Sequence, residues 1–174
     1  MGPLESFKTK TMNIQAAYPE IYFLGAFAIT VVAAAINDIK YRLIPNSLCL
    51  IIAVLWAPYA IFMTGDLLYP LITALIILAL GIGAFSAGWL GGGDAKLLAV
   101  CALWMGPAHI LPFLFHTALA GGALALLWRF EGPVRFALAR GGMDVQVAVT
   151  RELPYGLAIA VGALLAAARI AGLS

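Results

Sequence analysis

Long uncharged stretches, separated by short groups of charged residues, dominate the chain. Five of them occupy positions 21–37, 43–65, 67–93, 97–128 and 153–168. A helix that crosses a membrane needs about 20 mainly apolar residues, so the first three stretches each predict one span. The last stretch reaches that length if Arg169 extends its charged end to the membrane surface and the helix continues to about Leu173.

The stretch 97–128 is too long for one ordinary span, and Gly106 followed by Pro107 lies inside it. Glycine there can end a helix, and proline is suited to the first position of the next one. We therefore predict a short helix over about 94–105 and a full span over about 108–128. A helix of about 12 residues is only about 18 Å long. This length predicts that the preceding glycine-rich loop dips into the membrane, where protein or water must cover its backbone.

These elements predict an all-α, polytopic membrane protein with six transmembrane helices and a short fourth helix. Residues 1–18 form an N-terminal tail, and 19–173 form a single domain with a cytoplasmic loop at 129–152. With six helices, seven of the ten basic residues face one side, which the positive-inside tendency assigns to the cytoplasm. Both termini then lie outside. Within the loop, the mixed basic and apolar segment 134–140 fits either a plain tether or a surface-lying helix near the site.

The composition supports the membrane interpretation, because 64% of the residues are hydrophobic and only 10% are charged. Soluble domains carry about 25% charged residues. The net charge of +2 gives no reason to expect nucleic-acid binding. Cys49 and Cys101 lie in apolar stretches without a CxxC pattern and are interpreted as buried thiols.

Two aspartates stand out against this apolar background. The sequence GGGDAK at 91–96 places Asp94 and Lys96 between two uncharged stretches, and Asp38 closes the first predicted helix. An ionisable residue in a membrane segment is costly and suggests a function. The six-helix topology brings Asp38 and Asp94 to the same membrane face.

Two carboxylates that meet at a partly dry site do not both ionise easily, so one keeps a proton while the other stays charged. The charged group can take a proton from water, and the protonated group can polarise a peptide carbonyl. This is acid–base hydrolysis that needs no metal or cofactor. Glycines beside such a pair allow a substrate backbone to approach closely. His109 and His116 have no further ligand pattern, and no metal site is expected.

Structural alternatives exist for both acids. Asp94 could be a helix N-cap, and Asp38 could be an interfacial charge paired with Lys40 or Arg42. The same acids could also relay protons or bind cations in a non-enzymatic membrane protein such as a transporter subunit. A serine mechanism with Ser86 and His116 is disfavoured, because the residues around Ser86 lack the first glycine of GxSxG.

Several neighbouring residues have two interpretations each. Lys96, two positions after Asp94, points to the other side of a helix and either reaches lipid headgroups or shapes the loop. Asn37 and Asn46 either hydrogen-bond the site or cap helices. Tyr155 either faces the site or belongs to an interfacial aromatic belt.

The motifs together resemble those of type IV prepilin peptidases. GGGDAK at 91–96 matches the family's GxGDxK signature, Asp38 is followed by Ile-Pro-Asn at 44–46, and Pro-Tyr-Gly at 154–156 resembles the last-helix motif. The resemblance covers about residues 20–172. It implies an aspartic membrane endopeptidase in which Asp38 and Asp94 are the catalytic pair. The neighbouring residues expected to bind substrate or shape the loop are Gly91, Gly93, Lys96, Asn37, Pro45 and Asn46.

The same resemblance implies the partner and the location. The expected substrate is a prepilin with a basic leader and a hydrophobic helix, cut at the cytoplasmic face, typically after glycine. Membrane lipid is the other partner, and the location is a bacterial or archaeal cytoplasmic membrane, since archaeal preflagellin peptidases share the motif. Larger family members carry a cytoplasmic domain with paired CxxC motifs and methylate the new N-terminus. Only a few residues join helices 1 and 2 here, so the short Tad/Flp-pilus type without methyl transfer is expected.

Overall fold

The computed structural model describes the backbone of residues 3–140 and 155–172, and the side chains of residues 19–127 and 155–172. Every regular element in those ranges is a helix. In chain order they are α1 (Pro3–Tyr41), α2 (Asn46–Tyr59) with a π-helical turn (Ala60–Thr64), α3 (Leu68–Ser86), α4 (Gly92–Arg140) and α5 (Tyr155–Ile170).

Four segments of the described chain are long and apolar enough to cross a membrane. They are Pro19–Tyr41, Asn46–Thr64, Leu68–Ser86 and Gly92–Leu127, and α5 is a shorter apolar helix. Their exposed apolar side chains are the surface that lipid covers in such a protein. The chain is thus an all-α, multi-pass membrane protein as predicted, whereas the count of six spans stays a prediction.

Helix α1 begins earlier and ends later than its uncharged stretch. Its backbone is helical from Pro3, so the predicted tail at 1–18 is not separated from the first span by a break. At the other end, Arg42 has a left-handed φ of 52°, and its N–H donates to the Asp38 carbonyl at 2.9 Å. This is the usual way in which a helix ends in a left-handed residue. Asp38 therefore belongs to the last turn of α1.

Helix α4 is broken at Gly106, where the sequence predicted a break. The φ of 54° and ψ of −172° lie in a region that essentially only glycine adopts. A Cβ there would lie 3.5 Å from Cγ of Pro70, near the start of α3. The backbone of α4 is therefore interrupted at Gly106, and its two parts, 92–105 and 107–140, are two separate helices.

Contacts with α5 show that the chain turns back at Gly106. A Cβ on Gly121 would meet Tyr155, at the start of α5, whereas Gly162 packs on Phe113 and Thr117. Higher numbers on one helix thus pair with lower numbers on the other, so 107–140 and α5 run antiparallel. Tyr155 and the first turn of α4 line one cavity, so the first turn of α4 and the region of Gly121 lie at the same end of the bundle.

The first part of α4 forms the centre of the bundle. Positions 101–105 are all buried. The indole N–H of Trp104 donates to the Ile52 carbonyl at 2.9 Å. The Trp104 ring stacks with Phe27 and Tyr59 at centroid distances of 4.6 and 4.9 Å. This cluster ties α1 and α2 to α4 and so fixes the helices that carry the two aspartates.

The predicted cytoplasmic loop at 129–152 stays a prediction, and part of that range is helical. Helix α4 continues to Arg140, so 129–140 is helical backbone and includes the segment 134–140. Residues 141–152 lie outside the described residues, and the tether and surface-helix interpretations both stay predictions.

Candidate active site

A cavity of about 800 Å³ lies at the end of the bundle where α1 ends and α2, α4 and α5 begin. It is open on one side and combines acidic, basic and apolar lining. Its lining residues are Asp38, 42–46, 88–94, Lys96 and Tyr155. Asp38 and Asp94, which are distant in the sequence, thus line the same cavity, as the predicted topology implied.

Asp38 is buried, with 7% of its surface exposed. The backbone N–H of Gly156, in the first turn of α5, donates to Asp38 Oδ2 at 2.8 Å. A Cβ at Gly156 would lie 2.8 Å from the same oxygen and 3.0 Å from Cγ. Only glycine therefore allows α5 to approach this carboxylate so closely. Sequence reasoning noted 154–156 as a motif, but gave Gly156 no contact with Asp38.

Asp94 lies inside the first turn of α4 and is not its N-cap, which corrects one structural alternative. The carbonyl of Gly91 accepts the Ala95 N–H at 3.0 Å, so Gly91 is the capping position and Asp94 is third in the helix. The Asp94 carboxylate turns back and accepts a hydrogen bond from the Gly91 backbone. A Cβ on Gly91 would lie 2.7 Å from Asp94 Oδ2. The helix N-terminus favours negative charge there.

The charges in the cavity influence each other. The Asp38 and Asp94 carboxylates are close enough to repel electrostatically, and the positive charge of Arg42 acts on Asp38. Of the two basic partners considered for Asp38, Arg42 lines the cavity and Lys40 does not. Two acids that share one partly dry cavity favour a state in which a single proton is held between the pair.

The first turn of α4 packs on the segment between α1 and α2. A Cβ on Gly93 would lie 3.2 Å from Cβ of Ile44, and Lys96 Nζ donates to Asn46 Oδ1 at 3.0 Å. Pro45 precedes α2 in an extended conformation, with φ −63° and ψ 136°. With Gly91, these residues all line the cavity.

Asn37 is the one predicted site residue that does not line the cavity. Its side-chain amide donates to the Ala33 carbonyl one turn earlier in α1, at 3.0 Å. Tyr155, which had two interpretations, does line the cavity. Lys96 is bonded to Asn46, and its headgroup and loop-shaping interpretations both stay predictions.

The alternative catalytic groups lie elsewhere. Ser86 Oγ donates to the Ile82 carbonyl at 2.9 Å, and His116 Nδ1 lies 2.5 Å from the Pro112 carbonyl. Each is thus engaged with its own helix, and neither lines the cavity. Among the described side chains, no three His, Cys, Asp or Glu residues group together as metal ligands.

Comparison with known proteins identifies the family. The sequence profile of the type IV leader peptidase family matches residues 25–126, a range that includes both aspartates and the glycine-rich stretch. The chain belongs to the type IV leader peptidase family. The resemblance of the motifs is thereby confirmed.

A curated relative gives a second comparison. The chain is 29% identical over 119 residues to a prepilin leader peptidase/N-methyltransferase of Xanthomonas campestris pv. campestris. The aligned stretch covers 61% of this chain but only 40% of that relative. No solved structure matches the chain.

Proposed function

We propose that this protein is a membrane-embedded aspartic endopeptidase that removes the leader from a type IV, Flp-like prepilin at the cytoplasmic membrane face. The observation that carries the proposal is the cavity shared by Asp38 and Asp94. Membership of the type IV leader peptidase family supports the substrate class. The relative's name, prepilin leader peptidase/N-methyltransferase, supports it further.

In the proposed mechanism, the carboxylate without a proton takes one from a water molecule in the cavity. The other aspartic acid donates its proton to the carbonyl oxygen of the scissile peptide as the water oxygen attacks the carbonyl carbon. Collapse of the tetrahedral intermediate breaks the C–N bond. The proton first taken from water passes to the leaving amine, and the proton given to the carbonyl oxygen returns to the aspartate that donated it. Each carboxylate is held by a backbone group, from Gly156 or Gly91, which leaves its other oxygen for the reaction.

The position of the cavity suits a substrate that has an apolar helix next to a basic leader. The cavity lies at one end of an apolar bundle, so an apolar substrate helix can remain in lipid while the preceding peptide reaches the acids. Trp89 and Leu43 are exposed and line the cavity. They offer an apolar rim on the side from which such a helix would approach.

A proton- or cation-relay function would use the same acids differently. Asp38 is in the last turn of α1, and Asp94 is in the first turn of α4. Both therefore lie near one end of the bundle, whereas a relay places ionisable groups along the depth of the membrane. An assay of peptide cleavage distinguishes the peptidase from a relay protein, because a relay protein would not cut a prepilin.

The test is co-expression with a Flp-type prepilin that carries an epitope at its C-terminus. Wild-type protein should convert the precursor to a shorter form, and mass spectrometry of that form gives the cleavage position. Asp38→Asn and Asp94→Asn should each lower the cleavage rate by about 10²–10⁴-fold, because general acid–base groups contribute about that much.

Asp66→Asn is the matched control, since Asp66 is half-buried, does not line the cavity and accepts hydrogen bonds from the N–H groups of Leu68 and Tyr69 at the start of α3. The side-chain oxygen of asparagine can accept the same hydrogen bonds, so cleavage should stay at the wild-type rate. If no prepilin is cut by the wild type, the peptidase proposal fails. If Asp38→Asn or Asp94→Asn cleaves normally, the two-aspartate mechanism fails.

A further inference from the structure

A side-chain hydrogen bond joins the start of α4 to the start of α2. Lys96 Nζ donates to Asn46 Oδ1 at 3.0 Å. Asn46 is the first residue of α2, and Lys96 lies two positions after Asp94 in α4. The bond therefore connects the helix turn that carries Asp94 to the segment that follows Asp38.

A second contact lies beside this bond. Gly93 packs against Ile44, where a Cβ would come within 3.2 Å of the Ile44 Cβ, and Ile44 is itself buried. Only positions 42–45 separate the end of α1 from the start of α2. If Asn46 moved, this short connection would therefore move the end of α1, which carries Asp38.

On the basis of the proposed function, we infer that Lys96 is a positioning residue. Its bond to Asn46 holds the first turn of α4 against the start of α2 and so sets the spacing between Asp94 and Asp38. A misplacement of about 1 Å in a catalytic group can lower the rate about 10²-fold. This role gives a function to an exposed lysine whose hydrogen bond goes to Asn46 and not to a carboxylate.

The charges argue against the other use of Lys96, direct recognition of the leader. The proposed leader is basic, and two positive charges repel. Lys96 Nζ already donates one of its three N–H groups to Asn46. In the positioning role, Lys96 acts through its N–H donor, and its positive charge is less important.

The test is a double-mutant cycle in purified protein reconstituted in lipid, with Lys96→Met, Asn46→Leu and the double variant. Each single change should lower kcat by about ten- to hundredfold and leave KM unchanged. The double variant should be no slower than the slower single variant, because one bond is lost in all three. Lys96→Gln keeps an N–H donor and should retain more activity than Lys96→Met.

Lys40→Met is the matched control, because Lys40 is exposed at the end of α1 and does not line the cavity. Its kcat and KM should equal those of the wild type. A rise in KM at unchanged kcat for Lys96→Met would show that Lys96 contacts the substrate and would overturn the inference. Losses that multiply in the double variant would also overturn it. If Lys96→Met does not fold, the comparison of Lys96→Gln with Asn46→Leu replaces it.

A readout without cleavage separates this inference from the proposed function. Tyr41 and Trp89 are exposed at the end of α1 and just before α4, so spin labels at these positions report the distance between the two segments. Lys96→Met should shift or broaden the distance distribution, and Lys40→Met should not. An unchanged distribution in Lys96→Met would overturn the positioning role even in a protein that cleaves no prepilin.

Discussion

At the scale of single residues, the site depends on glycines that stand where a side chain would collide with an acid. Gly156 brings a backbone N–H to 2.8 Å from Asp38 Oδ2. Gly91 lies where a Cβ would be 2.7 Å from Asp94 Oδ2. Each acid therefore accepts a hydrogen bond from backbone, of another helix for Asp38 and of its own helix cap for Asp94.

Replacing Gly156 with alanine should displace the Asp38 carboxylate. The new Cβ would lie 2.8–3.0 Å from three atoms of Asp38, and such overpacking costs about 1–3 kcal/mol. We expect a lower thermal unfolding temperature in detergent and a loss of cleavage of about 10²-fold, since misplacement of a reacting group has that effect.

Gly25→Ala is the control, because a Cβ at Gly25 would have no heavy atom within 4 Å. Alanine is the better helix former, so this variant should unfold at the wild-type temperature or above it, with normal cleavage. A Gly156→Ala protein with wild-type stability and activity would show that the close approach of α5 to Asp38 has no importance.

At the scale of elements, α4 organises the bundle because it reverses at Gly106. Its first part carries Asp94 and packs on α1, α2 and α3, and its second part packs antiparallel on α5. The interface with α5 is close: a Cβ on Gly162 would overlap Thr117 Oγ1 and lie 2.8 Å from the Thr117 backbone nitrogen. This packing places the start of α5, and so Gly156, at the cavity.

Gly162→Ala should therefore separate α5 from α4. The clash involves backbone atoms, which cannot move aside as a side chain can, so we expect a destabilisation of at least about 1–3 kcal/mol. Thermal unfolding of the purified protein measures it. Gly122→Ala is the control, since a Cβ there would have no heavy atom within 4 Å. Equal unfolding temperatures for the two variants would contradict the close packing of α4 on α5.

The sequence predicted the element boundaries that charges and helix breakers mark. The breaks near Pro45, Asp66 and Gly106 are where charge, proline or glycine interrupts an apolar stretch, and the structure has them there. It did not predict the π-helical turn Ala60–Thr64 or the helical continuation of α4 to Arg140. Uniformly apolar residues do not distinguish helix types, and a charged residue does not by itself end a helix.

At the scale of the whole molecule, topology brings distant positions to one end of the bundle. The pairing of Asp38 with Asp94 followed from the sequence, because each acid is an outlier in an apolar stretch and the predicted spans put both on one face. The bond from Gly156 to Asp38 joins residues 118 positions apart and did not follow. A hydrogen bond from a backbone N–H cannot be recognised in the sequence, except by the glycine that allows the close approach. Asn37 is polar and adjacent to Asp38 in the sequence, but its side chain bonds within its own helix.

The most direct measurement of the central claim is kcat of purified Asp38→Asn, Asp94→Asn and the double variant in lipid, with a saturating prepilin substrate. If the two acids act as one unit, the double variant should be no slower than the slower single variant, because either change alone already disables the pair. Wild-type kcat in either single variant, or losses that multiply in the double variant, would contradict a shared two-aspartate site.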